Sequence, residues 1–433
     1  MKPVRYILLA AFVFVFLRPS VALAQDDDDN TSTGGDCQQI DDKEAQKNFD
    51  KSKDHKKYSW DERKAFLQKA LELEPDWADA NMAMAKMIMN KAKADGNSDR
   101  YPAAEPYLKK VCDVCPKYGA QPFYLLGTQY YLDENYPDAI IYLQKFIDYD
   151  ADDPKKLGDD YDFYQGQAKE MLRWSKFFVD VKKNPHPFNP HPVNYICTSM
   201  DEYLAIISPD NTMAMYIRRV PVSQMDRVWG TSSTDEVFTQ SFRQPDGTFD
   251  KGTRMDDPFN QNPNEGGPTL TIDNKHLFYT ITKDGKDGPN TDIYTTDFID
   301  GSWTPVRSLG DKVNDPVYWD SQPSVSADGN TLYFASNRPG GQGGIDIWVT
   351  HKGFDGEWGV PENLGPTINT SGDEKSPFIH TDSQTLYFSS TGFPGLGGYD
   401  IYYSRANEKG VWQTPVNMGI PINTEGDDIG LFV

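Results

Sequence analysis

The residues able to do chemistry fall into a few sets, each with a chemical and a structural reading. Cys112 and Cys115 have the C-x-x-C spacing of a redox dithiol. Such a motif follows a strand of a βαβ unit. This one closes a helical stretch, so the structural reading is preferred: a buried pair, or a disulfide involving Cys37 or the motif's own neighbour. Cys197 stands far away and is expected to be a free, buried thiol. Asp292, Asp346 and Asp400 recur at steps of 54 residues and would place three carboxylates around a ring. A residue repeated in every unit more often serves the unit, accepting backbone N–H groups in a turn or bonding the next unit. Calcium needs several oxygens converging on one point, and no such pattern is visible. Trp303, Trp358 and Trp412 recur likewise and read as core between units rather than as a sugar platform. His186 and His191 lie in NPHPFNPHPV with no Cys or carboxylate cluster nearby, and a stiff Pro-rich stretch does not easily converge two imidazoles. There is no nucleophile elbow, HExxH or phosphate loop. The expectation is no catalytic, metal or cofactor residue, and a protein that is not an enzyme.

These residues sit on a unit written several times. One copy reads DSQPSVSADGNTLYFASNRPGGQGGIDIWVTHKGFDGEWGVPENLGPTIN, and Pro323, Asp328, Leu332, Asp346, Trp358, Gly365 and Asn369 recur 54 residues later as Pro377, Asp382, Leu386, Asp400, Trp412, Gly419 and Asn423. This copy alternates apolar and polar residues around the breaks at Asp328-Gly329 and Gly343-Gly344, which predicts several short strands per unit and hence propeller blades. An earlier copy carries Pro268, Asp273, Leu277, Asp292, Trp303, Leu309 and Asn314. A degenerate first copy begins near Asn194, with Glu236-Val237-Phe238 aligned on Asp292-Ile293-Tyr294 and Phe249 in the place of the Trp. After these four units, residues 425–433 overlie 371–379 and read as the first strand of a fifth. An unfinished blade leaves an unpaired edge. The expectation is therefore a fragment of a longer protein, with ring closure by this strand as the alternative.

The part before the blades has a different period. Residues 1–24 have Lys2 and Arg5, an apolar run from Ile7 to Leu17, and Ala22-Leu23-Ala24, which predicts a signal peptide cut between Ala24 and Gln25. Residues 25–41 form an acidic, disordered linker. Residues 42–183 show helix, Pro-containing turn and helix, as in AFLQKALELEPDWADANMAMAKMIMNKA, the pattern of about three tetratricopeptide repeats. Ser59 and Glu62 are placed to form a capping box, and Gly127 and Ala139 to let helices approach closely. Residues 184–193 are a Pro-rich linker, and 194–433 the propeller. The fold class is α + β multidomain. A net charge of −22, more negative once Lys2, Arg5 and Arg18 leave with the signal, excludes nucleic acid as a natural partner.

The blade segments YWDSQPSVSADGNTLYFASNRPGGQGGIDIW, SPFIHTDSQTLYFSSTGFPGLGGYDIY and NEGGPTLTIDNKHLFYT resemble the PD40, TolB-like (WD40-like) propellers. With the junction NPHPFNPHPVNYICTSMDEYLAIISPDN and the helical repeats, the chain resembles the PorE-like proteins of the type IX secretion and gliding apparatus. The resemblance implies a periplasmic protein associated with the outer membrane. It also implies envelope-protein partners, and a grip on peptidoglycan through an OmpA-like domain that would follow Val433. The function expected is an exported, non-enzymatic scaffold. The alternative is a periplasmic small-ligand or glycan receptor, or an enzyme, with its site in the propeller channel.

Overall fold

The computed structural model describes residues 37, 40–96, 101–151, 154–158, 160–221, 234–262, 264–285 and 288–433. The signal peptide, its cleavage at Ala24–Gln25 and most of the acidic linker fall outside the described residues. The chain divides into two units, one ending at Lys183 and the other running from Asn184 to Val433.

The first unit is helical: α1 (Lys43–Lys53), α2 (Trp60–Leu73), α3 (Ala78–Ala94), α4 (Glu105–Val114), α5 (Gln121–Leu132), α6 (Tyr136–Ile147) and α7 (Tyr161–Lys183). Each helix packs on the next. Asp42 caps α1 by accepting from the N–H groups of Glu44 and Ala45. Ser59 and Glu62 form the capping box of α2, each accepting from the other's backbone. A proline opens α4, α5 and α6, where a missing N–H leaves no helical bond unmade. Helices α5 and α6 touch so closely that a Cβ on Gly127 would lie 2.7 Å from Leu143 Cδ2. Leu126, Leu143, Phe146 and Ala168 fill the core beside Tyr124, Tyr130 and Tyr142.

The second unit is a propeller of four blades, each a meander made from one stretch of chain. The first holds β1 (Glu202–Ile207), β2 (Met213–Pro221), β3 (Thr234–Phe242) and β4 (Thr253–Arg254). The second holds β5 (Asn264–Leu270), β6 (His276–Gly285) and β7 (Gly288–Ile299), with β8 (Ser302–Trp303) and β9 (Arg307–Ser308) both pairing with β7. The third is β10 (Asp320–Val325), β11 (Thr331–Ser336), β12 (Asp346–His351) and β13 (Glu362–Asn363). The fourth is β14 (Glu374–Ile379), β15 (Thr385–Ser390), β16 (Asp400–Arg405) and β17 (Val416–Asn417).

Both faces of a blade are buried against neighbours, and the alternating pattern sorts side chains between them. On β11, Leu332 and Phe334 join Phe278 and Trp358 in the layer against the second blade, while Tyr333 joins Phe388 and Tyr402 in the layer against the fourth. The recurring asparagine clamps the third strand where the fourth is too short to do so. Asn314, Asn369 and Asn423 each accept from the N–H of Ile293, Ile347 or Ile401 at 2.8–3.0 Å and donate back to the same residue's carbonyl. In the first blade Asn260 does this to Phe238. The clamp corrects the sequence alignment by one residue: Phe238 stands where Ile293 does, so Val237, not Glu236, is the counterpart of Asp292. A slip of one residue exchanges the two faces of a strand, and the degenerate copy lacks the Asp and Trp that would have fixed it.

Residues 424–433 form no paired strand, yet they lie on the fourth blade as β14 lies on the third. Asp428 N–H donates to Tyr399 O at 2.7 Å, as Glu374 N–H does to Ile345 O. Gly398 N–H donates to Gly426 O at 3.0 Å, as Gly344 N–H does to Gly372 O.

Candidate functional site

The innermost strands β1, β5, β10 and β14 stand side by side around a central channel. Each carries a bulge at the same level, between Tyr203 and Ile206, Gly266 and Thr269, Ser321 and Ser324, and Lys375 and Phe378. At each bulge one residue is left-handed: Leu204 (φ 49°), Gly267 (62°), Gln322 (54°) and Ser376 (49°), with Gly430 (80°) at the equivalent place in the final segment. Bulges re-aim side chains and cluster near functional sites. Above this ring Ile207, Leu270, Val325, Ile379 and Val433 make an aliphatic tier, and Pro209, Ile272, Ala327 and Thr381 form the rim. The cavity they enclose is about 490 Å³. None of the residues lining it has a charged side chain.

Hydroxyls stitch neighbouring inner strands together. Val325 N–H donates to Thr269 Oγ1 at 3.2 Å, and Ile379 N–H donates to Ser324 Oγ at 2.9 Å. At bulge level Gln322 N–H donates to Thr280 Oγ1 at 3.3 Å, and Gln322 Oε1 accepts from Ser376 N–H at 2.8 Å. Ser376 Oγ is buried with no hydrogen-bond partner.

At the opposite end of the inner strands stands a set of acids that sequence reasoning missed: Glu202, Glu265, Asp320, Glu374 and Asp428. Each accepts the backbone N–H of a residue in the loop before it: Thr198 (3.0 Å), Gln261 (2.8 Å), Asp315 (2.6 Å), Thr370 (2.8 Å) and Thr424 (2.6 Å). Burial pushes the Asp320 and Glu374 carboxyls up, and Arg338 pairs with Asp320. These acids fasten loops. From Glu265 onward their signal was the same step of 54 or 55 residues, hidden by alternation between Asp and Glu.

The acids singled out in the sequence sit on the third strands. Asp346 Oδ2 accepts from Gln342 N–H at 2.6 Å, and Asp400 Oδ2 from Leu396 N–H at 2.5 Å, so each carboxylate gathers its Gly-rich loop. The glycines are needed there: a Cβ on Gly341 would lie 1.5 Å from Asp346 Oδ2, and one on Gly395 1.7 Å from Asp400 Oδ2. The other oxygen of each carboxylate, Oδ1, is buried without a partner. Burial pushes Asp400 up to about 6 and Asp292 to about 6, the latter with help from Asp320. None of the three carboxylates lines the channel.

The recurring tryptophans lie between blades. Trp358 is buried edge-on against Phe278 at 5.8 Å, Trp412 meets Tyr333 at 6.2 Å, and Trp303 meets Phe259 at 5.8 Å. Cys37 and Cys115 form a disulfide with Cα atoms 5.8 Å apart. Cys112 is buried and free, its thiol pushed up to about 12 by burial, which leaves it without the thiolate that redox chemistry needs. Cys197 is exposed rather than buried, because its neighbour Ile196 takes the apolar place. His186 and His191 are exposed. Among the described residues no cluster of three or more His, Cys, Asp or Glu is placed to hold a metal ion, and no helix is long and apolar enough to cross a membrane.

The fold and the channel together define a β-propeller preceded by a helical array. No family profile matches the chain. No curated protein matches its sequence. Solved structures do match. Puromycin hydrolase is 12% identical over 54% of this chain and 41% of its own, with a TM-score of 0.32. A glycosyl hydrolase from Bacteroides ovatus is 11% identical over 58% and 88%, with a TM-score of 0.35. An α-L-arabinanase from Penicillium chrysogenum, complexed with arabinobiose, is 13% identical over 56% and 72%, with a TM-score of 0.33. The chain thus spans well under half the length of puromycin hydrolase. The expectation of a protein that is not an enzyme is corrected on this finding, since the matched structures are hydrolases.

Proposed function

We propose that the propeller is the ligand-binding part of an exported, periplasmic protein, and that a small uncharged molecule binds in its central channel. The channel carries this reading. Its volume of about 490 Å³ falls within the range of small-molecule sites, and its wall is mostly apolar with a few placed polar groups. The test is ligand-observed NMR against a panel of uncharged fragments, with Ala327→Trp at the rim as the blocked control. Fragments that bind the parent and not the blocked protein support the reading. The same spectra, followed over hours, report turnover by the appearance of product. Binding that the rim tryptophan leaves untouched overturns the reading.

A second reading attaches to the helical unit. Its consecutive packed helices suit tetratricopeptide-like repeats that dock envelope proteins, and with the blade resemblance they suit a component of a type IX secretion or gliding assembly. The Cys37–Cys115 disulfide favours an oxidising compartment and hence export. Crosslinking in the native envelope, followed by capture of the chain, tests this. Recovery only with cytoplasmic proteins, with Met1 retained, would defeat it.

A further inference from the structure

We propose that the channel ligand is a neutral acyl amide, and that Gln322 and Ser376 read its carbonyl oxygen. The proposal rests on the channel reading above and adds the chemistry of the ligand.

The argument starts from backbone strain. Five equivalent positions ring the channel in the left-handed region: Leu204, Gly267, Gln322, Ser376 and Gly430. Glycine occupies two of them, at no steric cost. A side chain at such a position is strained, and strain of that kind clusters at ligand-binding sites. Only Gln322 and Ser376 bring polar side chains to this ring, and they are adjacent. The Gln322 amide is oriented, because Oε1 accepts Ser376 N–H at 2.8 Å. That contact assigns the two donors to Nε2, which makes no hydrogen bond among the described residues. Ser376 Oγ is buried and has no partner either. The residue itself lines the channel. Two neighbouring groups can therefore donate to one acceptor.

The wall limits what that acceptor belongs to. An anion would meet no positive side chain, and a cation no side-chain carboxylate. A sugar would bring several hydroxyls against the aliphatic tier of Ile207, Leu270, Val325, Ile379 and Val433, where each buried hydroxyl lacking a partner is costly. A single carbonyl flanked by apolar groups suits both the donors and the tier. Pro268, Pro323 and Pro377, each following a ring residue, offer no N–H that would recognise a second acceptor.

The experiment titrates N,N-diethyl-3-methylbutanamide, an acyl amide with one carbonyl and no N–H, into the parent, Gln322→Leu and Ser376→Gly, read by ligand-observed NMR. Methyl β-D-glucoside is the hydroxyl-only comparison, and thermal melting checks each fold. Both substitutions copy residues found elsewhere in the ring, at Leu204, Gly267 and Gly430, so the backbone has precedent for each. Expected is binding of the amide by the parent and a tenfold or greater loss in each variant, with the glucoside bound more weakly. Equal binding by parent and variants overturns the proposal and leaves the channel reading standing. Tighter binding of the glucoside overturns it in the same way. Absence of binding to the parent by the amide, the glucoside and every uncharged fragment of the panel overturns both.

Discussion

At the scale of single residues, the buried carboxyls make stability depend on pH. Asp400 has its pKa raised from 3.8 to about 6 by burial. A carboxyl with a higher pKa folded than unfolded contributes stability that is present below its unfolded pKa and lost as pH rises through the folded one. The penalty at neutral pH is on the order of 2–3 kcal/mol. Asp400→Asn is therefore expected to gain on the parent as pH goes from 4 to 7, whatever its stability at pH 4. Melting temperatures of both proteins across that range check it, and a constant difference would exclude the shift. The glycines facing these carboxyls are as constrained. Gly341→Ala places a methyl 1.5 Å from Asp346 Oδ2 and is expected to cost about 3 kcal/mol or more in urea unfolding, because the loop and carboxylate must part. The role of Asp346 and Asp400 as loop organisers was legible from their repetition. Gln322 and Ser376 were not, because they occupy a position of the repeat where residue type varies and only backbone geometry marks it.

At the scale of elements, each blade is held by what it packs against, and the tryptophans grade that packing. Trp358 is buried, whereas Trp412 is half-buried. Trp358→Ala is expected to cost about 3–5 kcal/mol, as a large truncation in a packed core does, and Trp412→Ala less. Chemical denaturation of the two variants gives the order, and the reverse order would contradict the inter-blade assignment. The alternation on β11 was readable because both of its faces are buried by different neighbours, so the period of two survives without a polar side. The first blade was misregistered by one residue because Phe249 and Val237 replace the Trp and Asp that mark the other copies. The bulges were invisible for a related reason: they lie just before the repeated prolines, and no residue type is required there beyond tolerance of a positive φ.

At the scale of the whole molecule, the two units rest on different devices. The helical unit is tied by Cys37–Cys115 across a separation of 78 residues. Opening a loop of that length is expected to cost about 4 kcal/mol. A reductant should therefore lower the helical transition in far-ultraviolet melting and leave the β transition in place; equal shifts of both would count against it. Among the described residues the propeller has no disulfide, every sheet is drawn from one continuous stretch of chain, and no sheet combines strands from the first and fourth blades. Neighbouring blades are joined by side-chain layers, hydroxyl bonds and isolated backbone bonds such as Glu374 N–H to Ile345 O, so a mechanical load along the chain meets no continuous backbone ladder between them. Under tension from its two ends, the propeller should give way blade by blade. Each event would release about 54 residues, a lengthening of roughly 190 Å at about 3.5 Å per residue. A sawtooth of that spacing in a single-molecule pulling trace is the mechanical signature of a ring whose blades share no sheet.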